Sequence, residues 1–208
     1  MIQEFQEEIR GRSLTYYILS KCFSKPDEHF QQLATALGEI MRTLQLEPDF
    51  QNLPNEEQLK LELEYNRLFV GPGRLPCPPY ESVHRKDTAE HEVGMVMGPS
   101  TRDALRRYAE AGFSVNPNFR DIPDHLQVEL QFMYILCEKE LEMAGEAELW
   151  QRRYDDFVKL HLTPWIPSFA DCVERKTESP FYKSAARLLR EFIAKEIEQI
   201  EVRADFAR

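Results

Sequence analysis

The chain has 208 residues, 42% hydrophobic and 30% charged, a balance that suits one domain, or one domain with two lobes, and allows a real core. Lys and Arg total 26 against 36 Asp and Glu, a formal net charge of -10. This argues against nucleic acid as a partner, because phosphate binding needs clustered cations, and it favours a basic partner. No apolar run reaches the length of a membrane span, so no stable membrane insertion is expected. The acidic start Met1-Ile2-Gln3-Glu4-Phe5 lacks the basic-then-apolar order of a secretory signal, and a cytoplasmic location is expected.

Hydrophobic periodicity is helical almost throughout. Ile2, Phe5, Ile9, Tyr16, Leu19 and Phe23 trace one face of a first helix, ended by Pro26. Asp27 is placed to cap a second, which carries Phe30, Leu33, Leu37, Ile40, Met41 and Leu44. Pro48 and Pro54 bracket a linker. Asn55 is a cap candidate for a third helix, with Glu56 and Glu57 in the first turn, where the helix dipole favours anions. That helix carries Leu59, Leu63, Tyr65, Leu68 and Phe69.

The segment from Leu68 to Val83 then holds four prolines and two glycines. Proline has no backbone donor and glycine loses most entropy on ordering, so this run is neither helix nor central strand. It reads either as a plain connector between two helical halves or as a functional loop. Leu75, Cys77, Tyr80 and Val83 favour a loop that packs down and lines a groove.

Arg85 to Glu92 is polar, and Val93 to Gly98 reads as loop. Ser100 or Thr101 caps a fourth helix with Leu105 and Tyr108 inward and Gly112 as its stop. Asp121-Ile122-Pro123-Asp124 opens a fifth with an acidic cap and an early proline, followed by Leu126, Leu130, Met133, Cys137 and Leu141. Leu149, Tyr154, Phe157 and Leu160 mark a sixth. Thr163-Pro164 and Ser179-Pro180 start a seventh and an eighth. The predicted fold is all-α, a single compact bundle of about eight helices. It divides into an N-terminal half 1–70, a proline-rich hinge loop 71–98 and a C-terminal half 99–208.

Catalytic chemistry is hard to find. Cys22, Cys77, Cys137 and Cys172 show no C-x-x-C pair. Three of them sit among apolar helical residues and read as small buried hydrophobes, while Cys77 is free to be exposed in the loop. His29 and His161 have charged neighbours and read as surface or satisfied side chains; His84 and His91 flank a polar loop without an H-E-x-x-H pattern. No metal-ligand set, no phosphate-cradling glycine motif and no cofactor is implied. His125 follows Asp124 at a helix start, where the dipole disfavours imidazolium and the acid favours it, and the sequence leaves that balance open. The pair reads either as a structural tie between helix start and proline loop or as part of a binding site.

Two segments carry a resemblance. "EYNRLFVGPGRLPCPPYESV", Glu64 to Val83, is similar to the E-Y-x-x-L-F-x-G-P…P-P-[WY]-x-S signature of the TorD/DmsD/NarJ-type chaperones, and "DIPDHLQVELQFMYIL", Asp121 to Leu136, resembles that family's P-D-H-L…E-L-x-F signature. The resemblance implies an all-helical, non-enzymatic, cytoplasmic chaperone for a molybdenum-containing oxidoreductase. Its partners would be that enzyme's catalytic subunit, held before molybdopterin insertion, and the subunit's twin-arginine signal peptide, whose binding delays export. It implies a monomer or a homodimer, in some members domain-swapped. Carried over residue by residue, the peptide-binding set is Tyr65, Leu68, Phe69, Pro79, Tyr80, Ser82, Asp124, His125, Leu126 and Glu129. Chemistry adds Leu75 to an apolar trough and Glu81, with Asp124, as a guanidinium partner. Tyr80 stands where export-linked members often have Trp, so the motif does not fix the client class. The alternative is a small helical enzyme, a hydrolase or nucleotide binder, using Asp124 and His125.

Overall fold

The computed structural model describes residues 2–46, 58–85, 96–117, 119 and 121–206, and among them the periodicity becomes nine α-helices. The fold is all-α, and the only β feature among the described residues is an isolated antiparallel bridge, Tyr80 to His125. Pro48, Pro54, Asn55, Glu56, Glu57, His91 and the stretch 93–95 lie outside the described residues.

Helix α1 (Ile2–Cys22) packs along α6 (Leu126–Glu142), and these two form the spine. Ile9, Tyr16 and Leu19 recur at helical spacing on its buried face, continued by Phe23 just past its end. Helix α2 (Phe30–Thr43) lies against α1 and α9 (Pro180–Phe206). Asp27 acts just ahead of α2, its Oδ1 accepting the His29 amide at 2.9 Å. Helix α3 (Gln58–Tyr65) runs into a single π turn, Asn66–Val70, closed by Gly71 N–H to the Asn66 carbonyl at 2.8 Å. Gly71 ends it at φ +98°, a conformation glycine adopts without a Cβ penalty. A one-turn helix α4 (Glu81–His84) then forms inside the proline loop and brings the count to nine.

Helices α5 (Pro99–Glu110), α7 (Ala147–Phe157) and α8 (Ile166–Lys176) complete the body. A second π turn, Val158–Leu162, extends α7, with Thr163 N–H bonded to the Val158 carbonyl at 2.9 Å. The core holds two aromatic groups. Phe23, Phe69, Phe169 and Tyr182 meet at 5.5–6.1 Å between ring centres. Tyr108, Phe132 and Phe157 meet at 4.7–6.0 Å. Edge-on contacts at these spacings add roughly 0.5–1.5 kcal/mol each beyond area burial.

Several local expectations are corrected. On α3 the buried stripe is Leu61, Tyr65 and Leu68, whereas Leu59 and Leu63 are 65% and 61% exposed. Leu149 and Leu160 are likewise exposed, and Trp150, Tyr154 and Phe157 take the inner face. The α5 cap is Gly98, and Ser100 and Thr101 are buried within its first turn. Helix α8 starts at Ile166 with Pro167 in its first turn, because Thr163 is still held by the π turn. Ser179 caps α9 as predicted, its Oγ accepting the Tyr182 amide at 3.3 Å, and Gly112 follows α5 at φ +71°. Cys77 is fully buried and disulfide-bonded to Cys172, with Cα atoms 5.8 Å apart, so these two are neither an exposed thiol nor a lone hydrophobe. The bond pins the proline loop to α8.

Candidate functional site

The proline loop and the start of α6 meet edge to edge. Leu126 N–H donates to the Pro79 carbonyl at 2.8 Å, and Glu81 N–H donates to the Asp124 carbonyl at 3.0 Å. Pro79 has a fixed φ and a free carbonyl, which suits it to the outer position of such a pairing. The pairing holds His125 extended, at φ -71° and ψ 136°, so that α6 begins at Leu126. The cap of α6 is therefore His125, whose Nδ1 accepts the Gln127 amide at 3.0 Å, and not Asp121 or Asp124.

Asp124 serves the other segment. Its Oδ2 accepts the Ser82 amide at 2.9 Å, so one carboxylate from the α6 side caps the short α4. Burial pulls the His125 imidazole down to about 4, against the opposing pull of the Asp121 and Asp124 charges. An unprotonated Nδ1 is what accepting an amide hydrogen bond requires. Burial thus settles the balance that the sequence left open. His125 lies edge-on to Tyr80 and Phe119 at 5.4 and 5.6 Å. The Tyr80 hydroxyl donates to Asp121 Oδ2 at 3.1 Å, and Asp121 is exposed.

Beneath this junction lies a buried polar cluster. Glu81 Oε1 accepts Arg85 Nη1 at 2.6 Å, and Oε2 lies 2.9 Å from His161 Nδ1. His161 Nε2 lies 2.9 Å from Asp103 Oδ2, which also accepts Arg107 Nε at 2.7 Å. Burial raises the Asp103 carboxyl, but bonds from Arg107, Arg106 and His161 outweigh it and the net shift is downward. Trp165 Nε1 donates to Glu129 Oε2 at 3.2 Å. Burial, then the charges of Glu81 and Asp124, push the Glu129 carboxyl well above the usual carboxylate range.

The twelve predicted peptide-binding residues divide in two. Tyr80 and Leu75 are half-buried. Tyr65, Leu68, Phe69, Pro79, Glu81, Ser82, Asp124, His125, Leu126 and Glu129 are buried. Leu68 and Phe69 therefore form core rather than the wall of an open trough, because the α3 face that continues through Leu61 and Tyr65 points inward. Glu81 and Asp124 already hold donors of this chain and offer no exposed carboxylate to a guanidinium. Sequence reasoning passed over Asp103, Arg85 and Trp165 and took His161 as merely satisfied. They come from four separate elements, so no local spacing announces them. A groove of about 490 Å³ lies elsewhere, between α1, α2 and α9, with Lys21 and Lys25 among its lining residues.

The chain matches the family model described as "Nitrate reductase delta subunit" over residues 26–171. It is 30% identical over 137 residues to a chaperone protein TorD of Vibrio parahaemolyticus, a match spanning 65% of this chain and 61% of that protein. It is 29% identical over 163 residues to a chlorate reductase assembly chaperone protein of Ideonella dechloratans, spanning 76% of this chain and 75% of that one. A crystal structure described as a redox enzyme maturation protein from Archaeoglobus fulgidus superposes with a TM-score of 0.57 at 28% identity, covering 88% of this chain and 93% of that one. Among the described residues no helix is long and apolar enough to cross a membrane.

Proposed function

This chain belongs to the nitrate reductase delta subunit family, the TorD/DmsD/NarJ-type chaperones, and on that premise we propose that it is a cytoplasmic maturation chaperone, not an enzyme, for a molybdopterin oxidoreductase. It holds the apo catalytic subunit, and its twin-arginine leader where there is one, until the cofactor is in place. The observation that carries this reading is the junction of the proline loop with the α6 start, since both motifs of the resemblance meet there. Ten buried residues of the predicted set act as framework: they fix the loop against α6 and hold its outer face in one shape. Leu75 and Tyr80 supply apolar contact, and the exposed Asp121 carboxylate supplies the partner for an arginine.

Charge supports the junction over the α1–α2–α9 groove. Lys21 and Lys25 line that groove and disfavour a doubly cationic peptide. The enzyme alternative loses its two residues to structure, since Asp124 Oδ2 and His125 Nδ1 both accept backbone amides.

Calorimetric titration with a synthetic Arg-Arg leader, alongside co-purification of the apo catalytic subunit, tests the proposal. Asp121→Asn and Tyr80→Ala are expected to weaken peptide binding several-fold while the melting curve stays close to wild type. Recovery of neither leader nor subunit by the wild type would sink the chaperone reading. Normal binding by both variants would move the site away from this junction.

A further inference from the structure

We propose that Glu81, Glu129 and His161 form a buried binding site for one divalent transition cation of the zinc class. Their candidate donor atoms all lie within 4.8 Å of one another, and all three residues are buried. Two atoms bound to one Zn²⁺ at about 2.0–2.1 Å are at most about 4.2 Å apart, so closure needs a contraction of roughly half an ångström. One imidazole and two carboxylates match the donor preferences of zinc.

The surroundings already have the form of a metal site. Asp103 Oδ2 sits 2.9 Å from His161 Nε2, the carboxylate support that orients a ligating imidazole and leaves Nδ1 to face the cation. Nδ1 faces Glu81 Oε2 at 2.9 Å. Arg85 occupies the other Glu81 oxygen, so Oε2 alone is turned toward the cluster. Trp165 likewise occupies Glu129 Oε2. The remaining oxygen, Glu129 Oε1, is buried with no hydrogen-bond partner, in a residue that is 0% exposed.

A bare carboxylate oxygen in that position is costly unless something positive reaches it. A dication against two carboxylates and a neutral imidazole leaves the buried group with no net charge. A proton shared between Glu81 and Glu129 is the competing way to fill the same gap, and it predicts no affinity for metal.

Chelator-stripped protein is dialysed to equilibrium against Zn²⁺ and titrated with Co²⁺ under visible absorption. One equivalent per chain is expected, with the intense d–d bands of a low-coordinate site. Glu129→Gln and His161→Gln should each weaken binding roughly tenfold or more. His29→Ala, which removes a well-exposed imidazole, should leave it unchanged. X-ray absorption of the Zn²⁺-loaded wild type needs no variant to fold, and it should show one imidazole with oxygen donors and no sulfur. Substoichiometric binding, equal affinity in the Glu129 variant, loss on removing His29, or a sulfur-containing shell would each overturn the assignment.

Discussion

Replacing His125 by Asn separates its cap from its titration. Asn is among the best N-cap residues, so the bond now made by Nδ1 to the Gln127 amide has a successor. What goes are the ring contacts with Tyr80 and Phe119 and the ionisable group. The lost contacts should destabilise the variant by about 1–3 kcal/mol at pH 7.5. The folded chain holds His125 at about 4 against 6.5 for a free imidazole. Between those values the unfolded chain takes up a proton that the folded chain refuses. Wild-type stability from this residue is therefore complete above pH 6.5 and is lost as the pH falls toward 4, at about 1.4 kcal/mol per unit. By pH 5 the loss should reach about 2 kcal/mol, a loss the Asn variant cannot share. Urea unfolding of both proteins at pH 7.5, 6 and 5 should show the stability gap closing by that amount. Other titrating groups act on both proteins and cancel in the difference. A gap that stays constant or widens on acidification would refute a buried, neutral imidazole.

Asp124→Ala leaves the Ser82 amide without its acceptor and should lower stability by about 1–3 kcal/mol, whereas Asp124→Asn keeps an acceptor oxygen and should stay within about 1 kcal/mol by the same urea assay. Glu129 has a raised folded pKa, so its contribution is present at low pH and is lost as the pH rises past the usual carboxylate range. Thermal melts of Glu129→Gln should accordingly decline less between pH 5 and 8 than those of wild type. Leu61→Ala should cost about 2–5 kcal/mol, while Leu59→Glu and Leu63→Glu should stay within about 0.5 kcal/mol, as read by circular dichroism melts. Reduction, or Cys172→Ser, should lower stability by roughly 2–5 kcal/mol, because the Cys77 bond closes a separation of 95 residues. Thiol labelling with and without reductant checks that the bond was present.

The helical class and most helix positions were legible because amphipathic spacing is a local property. The meeting of the two motif segments was also legible, through the Asp-His pair read as a tie. The orientation of α3 was not. Leu59, Leu61 and Leu63 alternate, and both Leu59–Leu63 and Leu61–Tyr65 are helical neighbours. Only the continuation from Leu61 through Tyr65 to Leu68 selects the inward face. The cap of α6 was assigned by residue preference, which favours Asp. The pairing with Pro79 and Glu81, across more than forty positions of sequence, decides for His125 instead. The Glu81–His161–Asp103 chain joins α4, the end of α7 and α5, and nothing in any one segment marks it. Leu160 was read as core because an unbroken α-helical phase was assumed. The π turn alters the phase and turns Val158, His161 and Leu162 inward.

Those two wide turns make chain length and rotation inseparable. Deleting one residue from Asn66–Val70 or Val158–Leu162 would restore ordinary winding locally. It would also rotate everything downstream by about 100° relative to the helix before it. After such a deletion the indole of Trp165 would swing off Glu129, and Cys77 would be displaced from Cys172. A relative one residue shorter at either place must therefore rebuild the wall that follows, and cannot simply close the gap.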